Sequence, residues 1–219
     1  MADAVVEAEQ ALARLRAGNR RFTADGAAPS GRVDAARRAE LRQGQRPFAA
    51  VLACADSRVP PELVFDQGLG ELFVTRVAGN IATPSQLGSL EFAAEELGVR
   101  LVVVLGHTGC GAVGATLQAL RASGPPPSEG LRAVVDGVRP AVAPLLGQGL
   151  DEAALRGRAE RENVRHACRT LREGSPVLAR LRGQAGLAVL GATYSLETGE
   201  VAFFDGVTEA GALPPPAER

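Results

Sequence analysis

Hydrophobic positions along the chain fall into two regimes. From Val5 to Phe22, Val5, Ala8, Leu12 and Leu15 recur at helical spacing with Glu and Arg between them, which predicts an amphipathic helical arm. Gly, Pro and Ser between Asp25 and Gly31 read as a linker, Asp34 to Gln43 as a helix, and Gly44 as its stop. Three apolar runs of strand length follow: Phe48 to Ala53, Leu72 to Val77 and Leu101 to Leu105. After them, in turn, come helix-like stretches at Pro61 to Phe65, Gln86 to Leu97 and Ala112 to Ala122. Runs without alternation are expected of strands covered on both faces. Strand-helix alternation implies parallel pairing through right-handed crossovers.

The second half is less regular. Ser123 to Gly130 is a Pro-rich loop, and Pro140, Pro144, Gly147, Gly149 and Pro176 break the helical material from Leu131 to Leu181 into short or kinked helices. Leu187 to Tyr194 and Val201 to Phe204 flank Glu197-Thr198-Gly199, which predicts a late strand and hairpin. The tail PPPAER is expected to be disordered. The predicted fold is α/β: a central, mostly parallel sheet with flanking helices, a late antiparallel edge strand and an N-terminal helical arm. The expected division is 1–32 for arm and linker, 33–208 for the α/β domain, and 209–219 for a disordered tail.

Composition narrows the function. At 219 residues and a formal net charge of -1, with acids and bases mixed, the chain fits one large domain and has no electrostatic footprint for nucleic acid or an anionic membrane. No run approaches the roughly 20 apolar residues of a membrane span, and no signal-peptide core is present, so a soluble, cytoplasmic protein is expected. Three cysteines do not make a disulfide framework. All 24 basic residues are Arg, which removes Schiff-base chemistry and the lysine of a phosphate-binding loop. With only His107 and His166 present, a three-histidine metal site is impossible.

Cys54 directly follows the first apolar run, and His107-Thr108-Gly109-Cys110 follows the third. In a parallel sheet, residues just past the carboxyl ends of neighbouring strands converge on one crevice. Two thiolates and an imidazole there suit Zn2+, and three protein ligands leave a fourth position open, the pattern of a catalytic zinc. Gly109 to Gly114 is also a literal G-x-G-x-x-G, but Ser123-Gly124-Pro125-Pro126-Pro127 follows where a dinucleotide site needs an acidic strand end. Asp56 and Arg58 stand two and four residues after Cys54. A carboxylate held by Arg can orient a hydroxide on the metal, and freed from Arg58 it is itself a candidate fourth ligand in a closed state. The alternative is that Asp-Ser-Arg merely caps the helix near Pro60-Pro61.

Through C-x-D-S-R-V at Cys54 to Val59 and G-H-x-x-C-G at Gly106 to Gly111, the sequence resembles the β-class carbonic anhydrases. Gln45, Leu72 to Arg76, Asn80, the Gly88 to Leu97 helix and GATYSLETG at Gly191 to Gly199 extend the resemblance from about Leu12 to Phe204. The resemblance implies reversible hydration of carbon dioxide to bicarbonate by a zinc-bound hydroxide, with Asp56 and Arg58 orienting it. It implies a homodimer or dimer of dimers whose N-terminal helix crosses onto its neighbour, with the active site at the interface. Gln45 would bind bicarbonate, Phe73 and Phe92 would line an apolar slot, and the amide near Gly111 would hold substrate oxygen. Phe92 stands where Tyr is common. The arm itself has no obvious partner within its own chain, which also points to a dimer. His166 and Cys168 read as structural. Competing readings are a zinc hydrolase of carbon disulfide or carbonyl sulfide on the same scaffold, and a non-catalytic zinc or redox-sensing protein. Asp56, Arg58 and Gln45 argue against the last, because a closed structural site needs no orienting pair.

Overall fold

Every residue of β1 (Ala49–Cys54) and β3 (Leu101–His107) is buried, because these strands lie inside a sheet covered on both faces. A computed structural model describes residues 5–24, 33–122 and 128–214. In it, five strands are ordered β2 (Leu72–Val77), β1, β3, β4 (Ala188–Tyr194) and β5 (Val201–Asp205). The first four are parallel, and β5 runs antiparallel to β4 as the late edge strand. The helices are α1 (Ala8–Thr23), α2 (Ala35–Glu40), α3 (Pro61–Val64), α4 (Pro84–Glu95), α5 (Gly111–Arg121), α6 (Glu129–Val142), α7 (Glu152–Gly174) and α8 (Pro176–Gln184). The apolar runs predict the first three strands closely. For β2 the bounds coincide, and β3 continues through Gly106 and His107.

Side-chain alternation divides the strands between two layers. Val51, Ala53, Leu101, Val103 and Leu105 pack with Ala8, Ala11, Leu12 and Leu15 of α1. Ala50, Leu52, Val102 and Val104 pack with Leu90 of α4, Val164 and Leu171 of α7, and Leu178 of α8. The expectation that α1 lacks a partner in its own chain, and crosses to a neighbour, is corrected here. The long C-terminal helices go to the other face, so α1 covers its own sheet, and burying Leu12 and Leu15 contributes about 1.5–3 kcal/mol each. Asn19 locks it: Nδ2 donates to the carbonyls of Val64 and Gly199, and Oδ1 accepts from the Val201 N–H.

Between Leu131 and Leu181 the helices are not all short. α7 spans 23 residues without a break, and α6 carries Pro140 in its final turn, where one lost backbone bond does not end the helix. The interruptions fall at Pro144, Gly147, Gly149 and Pro176. The linker at Asp25 to Gly31, most of the Pro-rich loop and residues 215–219 lie outside the described residues. Residues 209–214, expected within a disordered tail, are folded back: Leu213 packs on the α1 layer and Arg16 donates to the Gly211 carbonyl at 2.7 Å. Among the described residues no helix is long and apolar enough to cross a membrane.

Two features of this topology set up a site. The chain passes from β1 to β2 on one side and then to β3 on the other, so the carboxyl ends of β1 and β3 flank a topological switch point. A third apolar cluster, from Ile81, Val113, Leu117, Val138, Val142, Leu155 and Ala159, closes over those ends and includes Cys54 and Cys110.

Candidate metal centre

Cys54 ends β1, His107 ends β3, and Cys110 precedes α5. The turn between them needs Gly109, which takes φ +67°, and Thr108 ties it to the hairpin by donating its N–H to the Tyr194 carbonyl at 3.0 Å. As a result Cys54, His107 and Cys110 are all buried, and their ligand atoms lie within 4.8 Å of one another. Among the described residues no other group of His, Cys, Asp or Glu meets that condition.

The donor set fits a zinc ion. The sulfurs are 4.0 Å apart, close to the roughly 3.8 Å that tetrahedral geometry gives two sulfurs each about 2.3 Å from zinc. His107 Nδ1 lies 3.0 Å from the Thr108 carbonyl, which fixes its proton there and leaves Nε2 as the lone-pair nitrogen. Nε2 is buried and has no hydrogen-bond partner. An orphaned acceptor beside two thiols is costly unless a cation takes it. Cys54 is drawn down to about 4, chiefly by the hydrogen bond from Cys110 and against the upward push of burial, and the same bond pushes Cys110 up. Burial lowers the pKa of His107, but the adjacent Cys54 sulfur and its charge outweigh it and the net direction is upward.

Asp56 and Arg58 are paired. Arg58 Nε and Nη2 reach the two carboxylate oxygens at 2.9 and 2.7 Å, and the Arg58 N–H donates at 3.0 Å. This holds the Asp56 carboxyl well below the usual carboxylate range, and the lesser attraction of His107 acts in the same sense. Asp56 Oδ2 lies 3.8 Å from His107 Nε2, beside the donors but outside the set. Arg76 fixes the same turn, donating to the carbonyls of Cys54 at 3.0 Å and Asp56 at 2.6 Å.

Gly111 opens α5 next to Cys110; it is exposed, and a Cβ there would meet nothing within 4 Å. Gly114, the last glycine of the G-x-G-x-x-G, instead makes room for Arg156, whose Nη2 would sit 2.4 Å from a Cβ. The other three expected substrate residues are not brought to this chain's own donors. Phe73 and Phe92 meet each other, ring centres 6.2 Å apart, but Phe73 pairs with Ala50, whereas Cys54 pairs with Val77. That is four residues along the strand, roughly 13 Å. Gln45 is exposed and precedes β1 at the same far end. His166 and Cys168 lie in α7, outside the site. Sequence reasoning passed over Glu160 and Asn163, polar residues on the buried stripe of α7. Their place on that stripe was the signal.

Fold and site together define an α/β protein with a Cys-His-Cys group that could hold a metal, at and just past two parallel strand ends. A family model described as carbonic anhydrase matches residues 49–201. Carbonic anhydrase 2 of Mycobacterium tuberculosis is 40% identical over 90% of this chain and 93% of its own, and a carbonic anhydrase of Mycolicibacterium smegmatis is 43% identical over 85% and 88%. The β-carbonic anhydrase CafA of Aspergillus fumigatus superposes with a TM-score of 0.70 at 27% identity, covering 79% of this chain and 82% of that one. The chain belongs to the β-carbonic anhydrase family, a family of carbonate dehydratases.

Purified protein should contain about one zinc ion per chain, and Cys54→Ser should lose it while remaining folded. Metal analysis showing the variant fully loaded would overturn the ligand assignment.

Proposed function

We propose that the chain hydrates carbon dioxide reversibly to bicarbonate and a proton, with Cys54, His107 and Cys110 holding zinc. Bound there, zinc supplies a Lewis acid that makes a nucleophile of water, more weakly than a three-histidine zinc because two thiolates cancel its formal charge; activity should rise from neutral into mildly alkaline pH. The observation that carries the reading is the Asp56–Arg58 pair. A carboxylate 3.8 Å from the unpartnered ligand nitrogen can accept a hydrogen bond from the reacting oxygen and so aim its lone pair at carbon. Arg58, bound to both carboxylate oxygens, would fix the direction in which Asp56 points. A closed structural or redox-sensing site has no use for such a pair. The amide of Gly111, an exposed residue beside Cys110, would hold a substrate oxygen.

Gln45, Phe73 and Phe92 lie at the far end of the strands from their own donors, so we read them as the share of a second copy. A homodimer, or a dimer of dimers, would then set one protomer's polar anchor and aromatic pair against the other's metal. A β-carbonic anhydrase pair from Sordaria macrospora is described as tetrameric. A cytoplasmic setting agrees with the free cysteines.

Arg58→Ala should keep its zinc and lose hydration activity by roughly 10–100-fold. Asp56 is held below the carboxylate range with Arg58 and rises toward that range without it; the range lies well below neutral pH, so Asp56 stays ionised and the loss should hold on both sides of neutrality. Near-normal rates at any pH, in protein of equal zinc content, would refute the orienting role. For the shared site, Cys54→Ser and Gln45→Ala should each be inactive alone. Unfolded and refolded together, they should regain activity, because a mixed dimer keeps one complete site. No recovery in a mixture shown by light scattering to contain dimers would count against it.

A further inference from the structure

The buried stripe of α7 carries Leu155, Ala159, Val164, Ala167, Cys168 and Leu171, and two polar residues interrupt it. Glu160 and Asn163 are 5% and 1% exposed and stand one turn apart on the same face. A carboxylate and a carboxamide among aliphatic side chains are costly unless their polar atoms are satisfied. Their partners are the turn that carries Cys110 and the short turn after β2, Ala78–Asn80, which lies against Cys54. Glu160 Oε1 accepts the Cys110 N–H at 3.0 Å. Asn163 Nδ2 donates to the Gly79 carbonyl at 2.7 Å, and the N–H of the same glycine donates to Cys54 Sγ at 3.3 Å.

The contacts are held tightly. Gly79 takes φ +73°, and a Cβ there would come 3.0 Å from Val138 and 3.2 Å from Ala112, so its peptide is confined on both sides. α7 itself sits close on β3 and β4 because Gly106 and Gly191 lack side chains. A Cβ at either would come within 2.4 or 2.8 Å of Val164, the residue after Asn163.

We propose that Glu160 and Asn163 are positioning residues, a two-point brace on one helix that sets the separation of the Cys54 and Cys110 sulfurs for the metal. Neither touches a reacting atom. Each acts through backbone: Glu160 on the peptide of Cys110, Asn163 on the peptide that donates to Cys54. The inference rests on the zinc reading above. It makes the hydrogen-bond acceptor of Glu160, not its charge, the feature that matters, because a Gln there can still accept the Cys110 N–H.

The test measures zinc affinity by chelator competition and the visible spectrum of the cobalt(II)-substituted protein, for the parent, Glu160→Ala, Glu160→Gln and Asn163→Leu. The brace predicts that Glu160→Ala and Asn163→Leu bind zinc roughly 10–100-fold more weakly and show altered cobalt bands, and that Glu160→Gln stays within a few-fold of the parent. Should Glu160→Ala not fold, the contrast between Asn163→Leu and Glu160→Gln carries the test. Variants with parental affinity and spectrum would overturn the brace, even if the metal-free proteins melt earlier, since that is what purely structural residues would do. A Gln variant as weak as Ala would also overturn it. A parent that binds no zinc would sink the function proposed above and the brace with it, whereas a parent that binds zinc beside indifferent variants sinks the brace alone.

Discussion

Two sulfurs and an imidazole nitrogen, buried side by side with the nitrogen unpartnered, are the constraint on which the rest of the structure depends. Such a cluster is unfavourable in an apolar surround, and a divalent cation between the donors offsets that cost with bonds no side chain of the protein supplies. The sheet supplies the place. β1 and β3 are neighbours whose following connections leave in opposite directions, so their carboxyl ends open on a crevice that the backbone itself does not fill. The cluster from α5, α6 and α7 then shuts that crevice from solvent on one side, which raises the strength of every charge interaction within it.

Charge around the donors is arranged in layers. Two thiolates match a divalent cation, and the next carboxylate out, Asp56, is claimed by Arg58 through both oxygens. Among the described residues Arg76 makes no ion pair with a carboxylate. It gathers the carbonyls of Cys54 and Asp56, so the chain between ligand and carboxylate is held at both ends. A site built only to store metal would close the fourth position with another protein donor. Here the carboxylate beside the donors, Asp56, is bound through both oxygens by Arg58, and a Cβ on the glycine at the start of α5 would meet nothing within 4 Å.

What the sequence made legible follows from burial. Fully buried strands show as unbroken apolar runs, so β1 and β3 could be read almost to the residue, as could the part-buried β2 from its apolar ends, and the donors were readable because they lie at or just past the ends of β1 and β3. The cover of the sheet was not readable. Nothing local in Val5 to Phe22 says that α4, α7 and α8 take one face and leave the other to α1. The length of α7 was hidden by prolines and glycines that flank it. Glu160 and Asn163 were missed for a related reason: a polar residue on an apolar stripe stands out only when the stripe's phase is known. Gln45, Phe73 and Phe92 were recognised from family resemblance, yet their distance from Cys54 along the strands appears only once the register is known.

The account's central claim is that these three buried side chains hold one zinc ion with a position left for chemistry. X-ray absorption at the zinc edge of the purified protein measures this directly. The account predicts two sulfur scatterers at about 2.3 Å, one imidazole nitrogen at about 2.0–2.1 Å and a single further oxygen or nitrogen. A shell of four sulfurs, or one made only of oxygen and nitrogen, would contradict it.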